Sequence, residues 1–225
     1  GFVSRGLGDV YKRQPKYGSI IIHSSLLPKY RGAAPIQHAL LNQEDSTGVS
    51  TFLIEPKVDT GKIIDQLIIE ITKDDNYGSL SKKLSEAGAD LIESSINKCL
   101  RHSSELIEQD NSIATLAPKI SKDDLKINWN DKSDIILAKV RAFSPTPGAF
   151  TTINSKRLKI FKAESIRNDN NHKIGSIYHV GKNFFDVQCG KNALRLFKIQ
   201  LEGKKAMDSK DFILGYQDLR SNILV

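Results

Sequence analysis

Two patterns of hydrophobic and polar positions divide the chain, and each predicts its own elements. From Gly18 the run SIIIH is short, apolar and β-branched, the composition of a strand buried in a parallel sheet. The segment PIQHALLN reads as a helix with Pro35 in its first turn, where a missing N–H is no loss. TGVSTFLIE and IIDQLIIEIT predict a second and a third strand. In NYGSLSKKLSEAGADLIESSINKCL the apolar positions Leu80, Leu84, Ala87, Leu91, Ile92 and Ile96 recur at helical spacing, opposite a polar face. Strands that alternate with helices imply an α/β layer. From about Arg101 to Lys122 the periodicity stops and the residues turn polar, the mark of a linker.

Beyond Lys122 the pattern changes. KSDIILAKVRAF is an amphipathic helix, stopped by Pro145 and Pro147. Strand-like runs follow, AFTTI, RLKIFKAESI, GSIYHV, FFDVQC and ALRLFKIQ, parted by turn residues at short intervals. Several short strands after one helix suggest a small closed or partly open β-barrel of the OB type.

The first 14 residues, GFVSRGLGDVYKRQ, follow neither period and resemble a translated adapter sequence. They are set aside as extraneous, and the natural chain is taken to begin near Pro15. Charge sharpens the division. Residues 1–122 carry 15 basic and 15 acidic side chains, whereas residues 123–225 carry 18 and 11, so the whole net charge of +7 lies downstream. A neutral domain joined to a basic one fits a polyanion partner such as nucleic acid; a Lys-rich face that is simply solvated gives the same count. Cys99 and Cys189 stand in no CxxC or His-rich context and read as reduced packing residues. No run is apolar for long enough to cross a bilayer and no secretion signal is present, so the expected location is cytoplasmic, away from membranes.

His23 ends the first strand, at the carboxyl edge where open α/β sheets bind ligands. Alternation places position 21 on its face, with Ile20 and Ile22 on the other. After it, SSLLPKYRG supplies hydroxyls at Ser24 and Ser25, a rigid Leu-Leu-Pro turn and a cation at Arg31. Asp59 follows in EPKVDTGKII, in a turn between two strands. A carboxylate beside an imidazole fixes its tautomer and favours its charged form, which suits proton transfer and charge stabilisation. A histidine at a strand end is also explained by packing, and the pair alone names no reaction.

The flanking strings say more. HSSLLPKYRGAAPIQHALLNQEDSTGV followed by VDTGKII resembles the methionyl-tRNA formyltransferase family, as do LAPKISKDDLKINW, VRAFSPTPGAF and EGKKAMDSKDFILG. The SLLP-x-YRG string also occurs in other formyl-tetrahydrofolate enzymes, whereas RGAAPIQ with GKKAM narrows the resemblance to the tRNA enzyme. It implies transfer of a formyl group from 10-formyltetrahydrofolate to the methionine amino group of initiator tRNA, with no metal, by a protein that is monomeric when complete. His23 and Asp59 would be two members of an Asn-His-Asp trio. Ser24, Ser25, Leu26, Leu27 and Pro28 would form part of the folate-side wall, and Arg31, Lys204 and Lys205 would meet tRNA. The expected fold is then the C-terminal part of a Rossmann-like formyltransferase domain (15–103), a linker (104–122) and an OB-like tRNA-binding β-barrel (123–225).

The chain departs from the family pattern in three places. Ile21 stands where the motif has asparagine, Thr146 where tryptophan is common, and the family's upstream region with its first strands has no counterpart. Isoleucine donates no hydrogen bond, so impaired activity is expected of this chain. Two other readings stay open: another formyl-tetrahydrofolate-dependent formyltransferase or hydrolase, and a non-catalytic tRNA-binding fragment. His38, Trp129 and Met207 read as packing or surface residues, Lys62 and Asp65 as solvated ones.

Overall fold

A computed structural model describes residues 18–101, 106–169, 172–216 and 218–225, so the adapter-like residues 1–14 lie outside the described part. The chain forms two compact units. The first holds 18–35, 46–70 and 82–118, and the second 36–45, 71–81 and 119–225. Among the described residues no helix is long and apolar enough to cross a membrane.

In the first unit β1 (Ile20–His23), β2 (Ser46–Leu53) and β3 (Ile63–Glu70) form a sheet in that order. The parallel strand expected from SIIIH is corrected here. Strand β1 runs antiparallel to β2, with Ile21 opposite Phe52 and His23 opposite Ser50, and β2 runs antiparallel to β3. An apolar β-branched run reports covered faces and carries no information on a neighbour's direction. One face of β1 turns Ile21 onto the cluster of Leu27, Phe52 and Ile63. Ile22, on the other face, lies over Gly88 of the helix Tyr77–Arg101 (α2; α1 is Pro35–Leu41). A Cβ at Gly88 would stand 3.0 Å from the Ile22 Cγ2, so the missing side chain lets helix and sheet approach. Thr51 of β2 and Ser95 of α2 share a buried hydroxyl hydrogen bond of 2.6 Å.

Several residues of the segment read as a linker have defined partners in the first unit. Ile107 and Ile63 exchange two backbone hydrogen bonds of 2.9 Å, and Leu116 bridges Arg31 in parallel. Single bridges of this kind leave no period in the sequence, which is why the stretch reads as featureless.

The second unit carries the helix α3 (Ser133–Phe143) and a six-stranded sheet. Its strands are β4 (Ala149–Ile153), β5 (Lys156–Ile166), β6 (Ile177–Val180), β7 (Phe185–Gln188), β8 (Ala193–Leu201) and β9 (Met207–Asp208), with α4 (Ser209–Gly215) after them. The order is β4-β5-β8-β7-β6, antiparallel throughout, with β9 added to β8. Helix α3 packs on β5 and β8, and its Ile136, Val140 and Phe143 join Leu158, Ile160, Leu194 and Leu196 in the core. Trp129 is also buried there, its Nε1 donating to Thr151 Oγ1 at 2.9 Å. No ladder joins β4 to β6 among the described residues, so the sheet is not a closed barrel. The C-terminal residues bond to both of its ends. Val225 exchanges hydrogen bonds of 2.9 and 3.1 Å with Thr152 of β4, while Asn222 accepts from Ile177 of β6 at 3.3 Å.

Candidate functional site

Strand β1 places His23 against two turns of the first unit, those that carry Tyr30 and Asp59. The histidine is 8% exposed and its ring meets Phe52 edge-on at 6.4 Å between centroids. Nε2 donates to the carbonyl of Tyr30 at 2.9 Å, and Nδ1 lies 3.7 Å from Asp59 Oδ2. Both ring nitrogens therefore face oxygens. A neutral imidazole can donate to one of them, and only the protonated ring can donate to both. Asp59 Oδ2 also accepts from the Gly32 N–H at 2.8 Å. Gly32 has a φ of 123°, and a Cβ there would stand 2.7 Å from the Ala117 carbonyl oxygen, so only glycine gives the carboxylate this donor. Tyr30 and Asp59 are themselves left-handed, at φ 61° and 53°, a conformation uncommon in non-glycine residues that aspartate tolerates better than most.

Sequence reasoning placed His23 and Asp59, and the fold brings them together across 36 residues of chain. It missed Gln109, Asn111 and Thr115, all from the supposed linker. Arg31, expected to face tRNA, is 8% exposed, with Nε and Nη2 on Gln109 Oε1 and Nη1 on Asn111 Oδ1. It is spent inside the unit. Thr115 Oγ1 accepts from the Tyr30 N–H at 2.8 Å and so holds the turn that bonds His23. No periodicity or motif marks these polar residues.

Of the expected folate wall, Ser25 and Leu27 turn inward, and Ser24, Leu26 and Pro28 keep partial exposure. Ser50 and Gln66 hold this loop from β2 and β3: Ser50 accepts from the Leu27 N–H and donates to the Ser25 carbonyl, while Gln66 donates to the Leu27 carbonyl. Ile21 shares the His23 face, as alternation requires, but its methyls meet apolar neighbours and offer a substrate no polar atom.

Lys204 and Lys205 are exposed in a turn where Gly203 takes φ 76°. Elsewhere in the second unit an open groove of about 980 Å³ is lined by both signs of charge, Lys73, Arg141, Lys162 and Lys198 with Asp74, Asp75 and Glu164. Lys162 and Lys198, both exposed, stand opposite each other across β5 and β8 where the ladder is irregular. Lys62 and Asp65 are not merely solvated, since Lys62 pairs with Glu108 and Asp65 with Lys98. Burial pushes the Cys189 thiol up to about 12 and raises Cys99 as well, so neither is an activated nucleophile. Among the described residues no group of three or more His, Cys, Asp or Glu side chains could hold a metal ion.

Comparison with known proteins follows the same division. A formyl transferase family model matches residues 5–96 and a formyl transferase C-terminal domain model matches 119–217. The methionyl-tRNA formyltransferase of Agathobacter rectalis is 41% identical over 201 residues, covering 89% of this chain and 65% of that protein. That of Halalkalibacterium halodurans is 38% identical over 202 residues, covering 89% of this chain and 64% of that protein. The chain thus spans just under two-thirds of these relatives' lengths. Among solved structures, Aquifex aeolicus HypX in complex with tetrahydrofolic acid superposes with a TM-score of 0.68 at 17% identity, covering 87% of this chain and 34% of HypX, a likeness of fold.

Proposed function

Since this chain belongs to the formyl transferase family, we propose that it serves the transfer of a formyl group from 10-formyltetrahydrofolate to the amino group of methionyl-initiator tRNA. The observation that carries the reading is the His23–Asp59 approach of 3.7 Å, found in a chain whose curated relatives are methionyl-tRNA formyltransferases. In the proposed reaction the methionyl amine attacks the formyl carbon, negative charge gathers on the formyl oxygen, and collapse of the tetrahedral species breaks the bond to the folate N10, which leaves with the proton that the amine gives up. An N–H aimed at that oxygen is worth most in a site that excludes water. His23 is the donor once its Nε2–H exchanges the Tyr30 carbonyl for the formyl oxygen, and Asp59 orients the ring from the Nδ1 side. The loop Ser24–Pro28 borders the folate, with Ser24, Leu26 and Pro28 as its partly exposed side chains.

The catalytic part is assigned to residues 15–103 and the tRNA-binding part to 123–225, read as OB-like because the C-terminal tail bonds to both ends of its sheet. Phosphates are met by Lys204, Lys205 and the opposed Lys162 and Lys198. Such contacts release counterions, so the affinity for tRNA falls steeply as salt rises. The protein acts in the cytoplasm and without metal.

One observation favours a second reading. Ile21 packs onto Leu27, Phe52 and Ile63 and places no donor beside His23, as suits a chain that binds tRNA and transfers nothing. The test is to incubate the chain with 10-formyltetrahydrofolate and methionyl-initiator tRNA and to follow formyl-methionyl-tRNA. Transfer that His23→Ala or Asp59→Ala lowers by at least about a hundredfold supports the first reading. Salt-sensitive tRNA binding without transfer supports the second. Transfer unaffected by either substitution overturns the site assignment.

A further inference from the structure

We propose that Gln109 and Arg31 are positioning residues that set the Asp59 carboxylate for His23, and so hold the reacting pair from a segment remote in sequence. The proposal rests on the reading of His23 and Asp59 given above. A carboxamide has one oxygen acceptor and one NH₂ with two donors, and every side of Gln109 is used. Oε1 accepts from Arg31 Nε at 3.0 Å and Nη2 at 2.7 Å. Nε2 donates to the carbonyls of Asp59 at 2.9 Å and of Gly61 at 2.7 Å. A guanidinium has donors only, so turning the amide over would set N–H against N–H. Arg31 thereby fixes which way Gln109 points, and its two donors must face the Asp59–Gly61 turn.

That turn needs a hold. Asp59 is left-handed at φ 53°, a conformation that aspartate tolerates better than most L-residues and that its hydrogen bonds help to fix. Two hydrogen bonds from one amide, either side of Thr60, supply that hold. The carboxylate is then carried to Gly32 and His23, at 2.8 and 3.7 Å. Gly32 follows Arg31 in the chain, so the bonds close a ring: Arg31 to Gln109, Gln109 to the Asp59 carbonyl, and the Asp59 carboxylate back to the residue beside Arg31. Asn111 Oδ1 accepts from Arg31 Nη1 at 2.9 Å and completes the guanidinium's partners in this ring. Charge on Arg31 polarises the amide it touches and strengthens the donors on its far side. Its guanidinium bonds go to the amide oxygens of Gln109 and Asn111, while the Asp59 carboxylate meets Gly32 and His23.

The test uses the full chain and needs no activity. Gln109→Glu keeps the acceptor for Arg31 and removes both donors to the turn. Two signals report on the carboxylate: hydrogen exchange of the Gly32 amide, which donates to Asp59 Oδ2, and the nitrogen resonance of His23 Nδ1. Thermal unfolding first establishes that the variant is folded. In Gln109→Glu the Gly32 amide is expected to exchange at least about tenfold faster, and the Nδ1 resonance to move toward its position in Asp59→Asn. Glu108→Gln, which alters the neighbouring ion pair with Lys62, should leave both signals unchanged. If Gln109→Glu does not fold, Arg31→Lys carries the test, because an ammonium cannot make the paired bonds that orient the amide. A folded variant whose Gly32 exchange and Nδ1 resonance match the parent chain overturns the proposal, as does an equal response in Glu108→Gln. Failure of the catalytic reading shows itself separately, as formyl transfer that survives His23→Ala.

Discussion

Replacing Ile21 by asparagine sets a gain in chemistry against a loss in packing, and both can be sized. Position 21 shares the His23 face of β1 and lies opposite Phe52, and its side chain packs partly buried on Leu27, Phe52 and Ile63. Full burial of an isoleucine is worth about 1.5–3 kcal/mol, so a partly buried one exchanged for a polar residue loses about 1–2 kcal/mol. A domain stable by about 5–15 kcal/mol tolerates that. The gain is larger. An amide donor beside His23, aimed at the formyl oxygen, is worth about 2.7–4 kcal/mol in the transition state, or roughly a hundred- to a thousandfold in rate. Ile21→Asn should therefore unfold at a lower urea concentration than the parent chain and transfer formyl to methionyl-tRNA at least about a hundredfold faster. Adding His23→Ala to the variant should abolish the gain. A folded Ile21→Asn chain that transfers no faster than the parent refutes the oxyanion role given to this position. Unchanged stability refutes the packing role given to Ile21.

Two further outcomes are expected in the rest of the molecule. Burial pushes the Asp65 carboxyl up, but the Lys98 ammonium at 2.6 Å, Ser94 and the Gln66 N–H outweigh it and hold the group below its ordinary value of 3.8. The stability it lends is therefore present above that value and lost as the pH falls through its depressed folded-state value, and urea titrations of Asp65→Asn should lack that acid-side loss. In the second unit Asp186 is 2% exposed and accepts from Arg195 at 2.8 and 3.0 Å and from His179 Nδ1 at 2.8 Å. Asp186→Ala strands a half-buried guanidinium and should cost about 3 kcal/mol in urea unfolding; a loss below about 0.5 kcal/mol would show that the cluster is solvated and inert.

Much of this protein is legible in its sequence, and the division has physical causes. Helix α2 and the strands from β4 to β8 follow from side-chain periods, because burying one face of a regular element imposes spacing on the sequence. The break in charge near Lys122 followed from counting, and the roles expected of His23 and Asp59 from strings that resemble one family. What stayed hidden is whatever depends on which segments meet. The direction of β1 was misread because an apolar run records coverage and not pairing. Arg31 was assigned to tRNA through the family resemblance, whereas Gln109 and Asn111 bury it in the first unit. Those two residues looked like linker because single bridges and side-chain hydrogen bonds impose no repeat. The C-terminal tail that touches β4 and β6 was hidden for the same reason. Residue types and local periods were determined by the sequence alone, whereas the tertiary structure decided the partners, since contacts between distant segments are set by the packing of the whole unit and leave no local trace.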